Sequence, residues 1–207
     1  MLQIEMYCGG VFQTNCYLLT LNEGDKHYLF DAPDQVVDWL RQKDIPSLDG
    51  LFLTHQHHDH VIGAGKVQQE YGCPTWAYSE PSDDLTLATR LEEITGMPCH
   101  LDEYKIDHLL AGEESLKLDQ IELPLLHIPG HSPDSICFLL SDAPCVIGGD
   151  VLFQGSIGRT DFPHGNHQQL IDGIHEKLWP LPDETQILPG HGPATTIGRE
   201  KSINPYL

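Results

Sequence analysis

Short apolar runs alternate with amphipathic stretches along the 207-residue chain. The runs at 16–20, 28–30, 51–54 and 74–78 are rich in β-branched, aromatic and leucine positions and predict strands. Between them, residues 35–43 place Val36, Val37 and Leu40 on one helical face, with Asp34 as the expected N-cap. Residues 63–71 predict the next helix, with Gly72 as its stop. The segment 79–112 carries more charge and less period, and predicts one helix over 82–95 followed by loop. Strand patterns return at 121–128, 136–140 and 145–147. Residues 166–179 give the clearest helix, with Leu170, Ile171, Ile174 and Leu178 on one stripe. A last strand is expected at 185–188. No low-complexity segment or linker interrupts the chain. The order of elements is similar in its two halves, roughly 1–115 and 116–207, so a single domain over 1–207 built from two pseudo-equivalent halves is expected.

Composition narrows the classes. With 40% hydrophobic residues the chain can bury a sizeable core. No apolar run approaches the roughly 18 residues of a membrane span. Residues 1–6 have neither a basic nor a long apolar segment, so no signal peptide is expected and a cytoplasmic location is. The formal net charge is −20. Such a surface repels phosphate backbones and anionic lipids, which disfavours nucleic acid and membranes as partners and leaves a small-molecule substrate. The six cysteines form no Cys-x-x-Cys pair, and Cys16, Cys137 and Cys145 lie in or beside apolar stretches, so buried thiols are expected.

Against this background His55-Gln56-His57-His58-Asp59-His60 stands out. It follows the strand expected at 51–54 and precedes a helix. Imidazole and carboxylate are ligands for Zn, Mn and Fe, and a tight turn brings four such groups together. A solvated histidine-rich loop is the alternative. Three later residues sharpen the reading: His131 in Pro129-Gly130-His131, Asp150 in Gly148-Gly149-Asp150, and His191 in Pro189-Gly190-His191. Each follows an apolar strand and a glycine, which lets the backbone turn sharply where layered α/β proteins hold their ligands. Eight further histidines are surface or core positions. Among them, His58 reads as a loop residue turned away from the metals, and His164 and His167 lie near Arg159 in sequence.

The set His-x-His-x-Asp-His, then Gly-His, Gly-Asp and Gly-His, resembles the metallo-β-lactamase superfamily over nearly the whole chain. Gly148-Gly149-Asp150-Val151-Leu152-Phe153, Gly158-Arg159-Thr160-Asp161-Phe162, Pro189-Gly190-His191-Gly192-Pro193 and Asn204-Pro205-Tyr206-Leu207 look like its glyoxalase II-like branch. They are similar to the short bacterial form without a separate C-terminal helical domain. The resemblance implies an αββα four-layer sandwich of two mixed sheets with a metal cleft at one edge. It implies two divalent ions, zinc first and iron or manganese as options. His55, His57 and His131 would hold one, Asp59, His60 and His191 the other, and Asp150 would bridge them. Asp31, after the strand at 28–30, would accept the free N–H of a ligand histidine; a helix cap shared with Asp34 is its alternative.

The activity implied is hydrolysis of thioesters of the hydroxyacylglutathione kind by a metal-bridging hydroxide, which Asp59 would orient. Arg159 stands where the family has a lysine and is the candidate for binding a substrate carboxylate, or for an internal salt bridge with Asp161. Asp161 and Pro193 occupy positions where glutathione-contacting tyrosines are expected, so a substrate range broader than glutathione follows. The alternatives are a mononuclear iron persulfide dioxygenase using His55, His131 and Asp150, a lactone hydrolase, and a non-catalytic metal-binding protein.

Overall fold

Leu29, Leu51 and Ala77 lie on neighbouring strands and point one way, while Phe30, Phe52 and Trp76 point the other. This period-2 alternation organises the first of two compact units, Met1–Leu110 and Ala111–Leu207. The computed structural model describes residues 2–21, 26–96, 98–141 and 143–207. Met1, the start of the N-terminal segment read above, lies outside them.

In the first unit, β1 (Gln3–Gly9), β2 (Thr14–Leu21), β3 (Lys26–Phe30), β4 (Gly50–Phe52), β5 (Thr75–Ala77) and β6 (His108–Leu109) form one sheet in chain order. The pairs β1–β2 and β2–β3 are antiparallel and the remaining pairs parallel. The Leu29 face packs on Val36, Val37 and Leu40 of α1 (Val36–Gln42) and on Ala64 and Val67 of α3 (Ala64–Tyr71). On the other face Phe30, Phe52, Trp76 and His108 stack in sequence, with ring centroids 5.1, 4.7 and 4.6 Å apart. Gly50 leaves the space for Trp76, whose ring would lie 2.7 Å from a Cβ there. Between α1 and α3 sits the four-residue helix α2 (His58–Val61).

The second unit carries β7 (Ser115–Leu118), β8 (Ile121–His127), β9 (Ile136–Leu140), β10 (Cys145–Gly149), β13 (Gln186–Pro189) and β14 (Thr195–Thr196) in one sheet, ordered β14-β13-β10-β9-β8-β7. Only β10–β13 is parallel. The hairpin β11 (Leu152–Phe153) and β12 (Ser156–Ile157) stands apart. Its core gathers Ile128, Cys137, Val146, Leu170, Ile174, Leu178, Ile187 and Ile197. The helix α6 (His167–Gly173) is capped by Asn166 and continues through a wider π-turn at Ile174–Leu178, while α7 (Ile197–Ile203) is capped by Thr196. Each sheet is mixed and carries helices.

Several element boundaries move. The cap of α1 is Gln35, at φ 64°, and not Asp34. The single helix expected over 82–95 is two, α4 (Asp83–Thr86) and α5 (Ala88–Thr95), because Leu87 adopts φ 54° between them. Strand β1 was not legible, since as an edge strand it mixes exposed and half-buried positions and has no buried apolar face. Cys16, Cys73, Cys137 and Cys145 are buried thiols. Among the described residues no helix is long and apolar enough to cross a membrane.

Candidate metal centre

The parallel pairing of β3 with β4 continues one residue beyond the strands, because the Asp31 amide donates to the Phe52 carbonyl at 2.8 Å. Asp31 and Thr54 therefore leave the sheet side by side. Asp31, buried and at φ 63°, is a short polar residue of the kind that tolerates the left-handed region. Its carboxylate accepts from the Thr54 amide, the Thr54 hydroxyl and His60 Nδ1, each at 2.8 Å. These contacts decide tautomers. The Thr54 hydroxyl gives its proton to Asp31, so its lone pair receives Nδ1–H of His55 at 3.1 Å. His60 likewise carries its proton on Nδ1. In both rings Nε2 is then the lone-pair nitrogen, the state a cation requires.

The donors of this unit lie close together. The His55 ring is 4.6 Å from that of His57 and 4.1 Å from that of His60. His60 Nε2 is 3.6 Å from Asp59 Oδ2. The hydroxyl of Thr14, from the start of β2, donates to that same oxygen at 2.5 Å and holds the Asp59 rotamer. Gln56, fully buried, ties the turn down by donating to the Ser79 carbonyl and accepting from the Tyr104 hydroxyl. His58 departs from its expected role as a loop residue: it begins α2 and is buried, and burial pulls its pKa below the ordinary histidine value.

The second unit presents three donors from separate strand ends. His131 follows Gly130, whose φ of 133° and close approach to Leu170 and Asn166 of the α6 entry exclude a side chain. Its Nδ1 donates to the Arg159 carbonyl at 2.8 Å, again leaving Nε2 as the lone-pair nitrogen. Asp150 follows the turn at Gly149, and His191 follows β13. One oxygen, Asp150 Oδ2, lies 3.5 Å from His131 Nε2 and 3.4 Å from His191 Nε2. Two ligand atoms each about 2.1 Å from one tetrahedral ion are about 3.4 Å apart. The spacings within each unit therefore fit donors that share a cation, and Asp150 Oδ2 lies between the two imidazole nitrogens.

Arg159 does two things. Its carbonyl orients His131, while its exposed guanidinium makes a two-pronged pair with Asp161, both contacts at 2.7 Å, and lies 4.0 Å over the Phe162 ring. Gly158 is required beside it, since a Cβ would fall 1.9 Å from the Asp150 carbonyl oxygen. The sequence reading did not find Thr14, 45 positions from Asp59, nor the Arg159 carbonyl, for which no side chain signals. Thr54 was signalled only by standing next to His55.

Comparison with known proteins adds a family. Residues 9–191 match the model of the metallo-β-lactamase superfamily. The hydroxyacylglutathione hydrolase GloC of Haemophilus influenzae is 37% identical, over 100% of this chain and 98% of that protein. Among solved structures, the BLEG-1 B3 metallo-β-lactamase superposes with a TM-score of 0.89 at 33% identity, covering 99% of both chains. TTHA1623, solved in a di-iron-bound form, superposes with a TM-score of 0.82 at 30% identity, covering 98% of this chain and 100% of that one.

Proposed function

Because the chain belongs to the metallo-β-lactamase superfamily, we propose that its 207 residues act as one catalytic domain whose seven donors serve a two-metal hydrolytic centre for thioesters of the hydroxyacylglutathione type. In this reading His55, His57 and His131 hold one cation, Asp59, His60 and His191 hold the other, and Asp150 is shared. The observation that carries it is the pattern of ring nitrogens: Asp31, Thr54 and the Arg159 carbonyl each take an Nδ1 proton and leave Nε2 for a cation. The similarity to the Haemophilus hydroxyacylglutathione hydrolase supports the substrate class. The di-iron form of TTHA1623 supports iron beside zinc as the resident metal.

When bound, the divalent ions would supply water activated near neutral pH and a Lewis acid for the thioester carbonyl. The chain's own groups do the rest. Asp59, its rotamer fixed by Thr14, accepts a hydrogen bond from the attacking water and directs its lone pair. Asp31 and Thr54 hold His60 and His55 in the required tautomers, and the Arg159 carbonyl does so for His131. The net reaction converts thioester and water to carboxylic acid and thiol.

The experiment combines metal analysis of protein purified without added metal with assays of S-lactoylglutathione hydrolysis, a chromogenic cephalosporin and oxygen uptake with glutathione persulfide. Two equivalents of metal and thiol release are expected. Cephalosporin cleavage without thioester cleavage would favour the activity named for the BLEG-1 neighbour. One equivalent of iron with oxygen consumption and no thiol release would replace hydrolysis by persulfide oxidation.

A further inference from the structure

A cavity of about 180 Å³ opens beside Asp59, between the β1–β2 turn and the segment after α5. Its walls are largely apolar, with Val11 and Phe12 on the turn, Ile62 behind α2, and Pro98 and Cys99 opposite. The turn is short and built to stand out. Gly9 pairs with Thr14, Gly10 takes φ 71°, and the Gln13 amide closes the loop on the Gly10 carbonyl. It carries two large apolar side chains outward, Val11 at 78% exposure and Phe12 at 43%. Apolar groups held at the mouth of an apolar cavity signal a ligand with an apolar body.

A polar group makes the cavity a built site. His58 forms part of its wall, is 5% exposed, and neither of its ring nitrogens meets a hydrogen-bond partner among the described residues. Backbone groups of Cys99 and His100 lie near the ring, outside hydrogen-bond geometry. A buried imidazole without partners costs free energy that a ligand oxygen would recover. An imidazole ring can offer one donor and one acceptor.

We propose that this cavity is the acyl subsite, taking a medium-length acyl chain of about six carbons that carries a hydroxyl group for His58. The length follows from volume, since a heavy-atom group of water size occupies about 30 Å³. The position follows from Asp59, which lines the cavity and is the residue assigned to orient the attacking water. This inference rests on the thioester hydrolase reading and adds the identity of the acyl group to it. The bond broken is carbonyl carbon to sulfur; water gives its oxygen to the carbon and a proton to the leaving thiolate.

The test uses acetyl, hexanoyl and 3-hydroxyhexanoyl thioesters of one thiol, with the metal-loaded protein at matched metal content. Each buried methylene is worth roughly fourfold, so kcat/KM should rise at least tenfold from acetyl to hexanoyl and again for the hydroxy compound. In Val11→Asp, a change at an exposed rim position that the fold tolerates, the hexanoyl-to-acetyl ratio should fall below about three. His58→Leu should abolish the preference for the hydroxy compound. Equal kcat/KM for all three thioesters, with hydrolysis intact, overturns the subsite and leaves the hydrolase reading standing. If no thioester is cleaved, the hydrolase reading fails by itself. Titration with 3-hydroxyhexanoate, read by the His58 ring resonances in NMR, then decides the cavity alone: saturable shifts support it, and unchanged resonances overturn it.

Discussion

At the scale of single residues, the proposed centre depends on groups that fix protons rather than on the donors alone. Asp31 is buried and accepts three hydrogen bonds, one of them from His60. Asp31→Asn keeps the shape, but its amide cannot accept from all three donors. Removing such a support typically costs 10- to 100-fold in metal affinity. Competition against a chromophoric chelator should show a loss in that range, and an unchanged affinity would remove Asp31 from the support of the centre. Arg159 illustrates a side chain whose partner was legible only as an alternative. Its pair with Asp161 is 56% and 68% exposed, so the pair is worth at most about 1 kcal/mol, and a substrate carboxylate can exchange for Asp161 cheaply. Asp161→Asn should therefore lower KM for an anionic thioester several-fold at nearly constant kcat, while Arg159→Ala should raise it. Equal effects on an uncharged thioester would make Arg159 a purely structural residue. The donors themselves were readable because histidine and aspartate at strand ends announce their chemistry. The Arg159 carbonyl and the Thr14 hydroxyl were not, because backbone groups and threonines occur everywhere.

At the scale of elements, the strand ends deliver the chemistry and the caps hold the strand ends. Strands β4, β8, β10 and β13 run apolar and stop at a turn that carries a donor, which is why their positions were predicted to within a few residues. The C-terminal helix is held differently. Glu200 of α7 is 1% exposed and accepts from the Gly155 amide in the β11–β12 hairpin, the Thr195 hydroxyl and Asn204 Nδ2. One buried carboxylate thus joins a hairpin, a strand and a helix. Glu200→Ala leaves those donors buried and unsatisfied, and should cost about 2–4 kcal/mol in urea unfolding. Hydrogen exchange at the Gly155 amide should accelerate more than exchange in β9. Uniform acceleration across the unit would show that Glu200 has no local tying role. This carboxylate could not be found from sequence, since its neighbours along the chain read as an ordinary polar helix.

For the whole molecule, a metal that binds only the folded chain must stabilise it by mass action. Chelation should lower Tm, and readdition of zinc or iron should restore it; a Tm indifferent to both would mean that the donors hold no ion. The buried thiols give a second global expectation. Burial raises the pKa of the Cys137 thiol to about 12 and those of Cys73 and Cys145 to about 11, against an ordinary thiol value of 9.0. The folded state therefore keeps protons that the unfolded state loses. The associated stability is complete below pH 9 and declines as pH climbs toward 11–12, by roughly 1.4 kcal/mol per unit per thiol. The urea midpoint should be flat from pH 7 to 8.5 and clearly lower at pH 10.5. A midpoint unchanged at pH 10.5 would show that these thiols titrate normally.

The sequence by itself determined the apolar strands and the main helices that precede and follow the donors, the family, and the identity of every candidate donor. Those follow from local period and from residue types whose chemistry is unusual enough to be recognised singly. Only the tertiary structure decided which nitrogen of each histidine carries its proton, that Asp150 sits between two imidazoles, that Arg159 turns its charge to Asp161 and its carbonyl to His131, and that His58 is buried beside an apolar cavity. Each of these depends on groups brought together from positions far apart in the chain, and no local pattern encodes a contact whose partner lies 28 or 45 residues away.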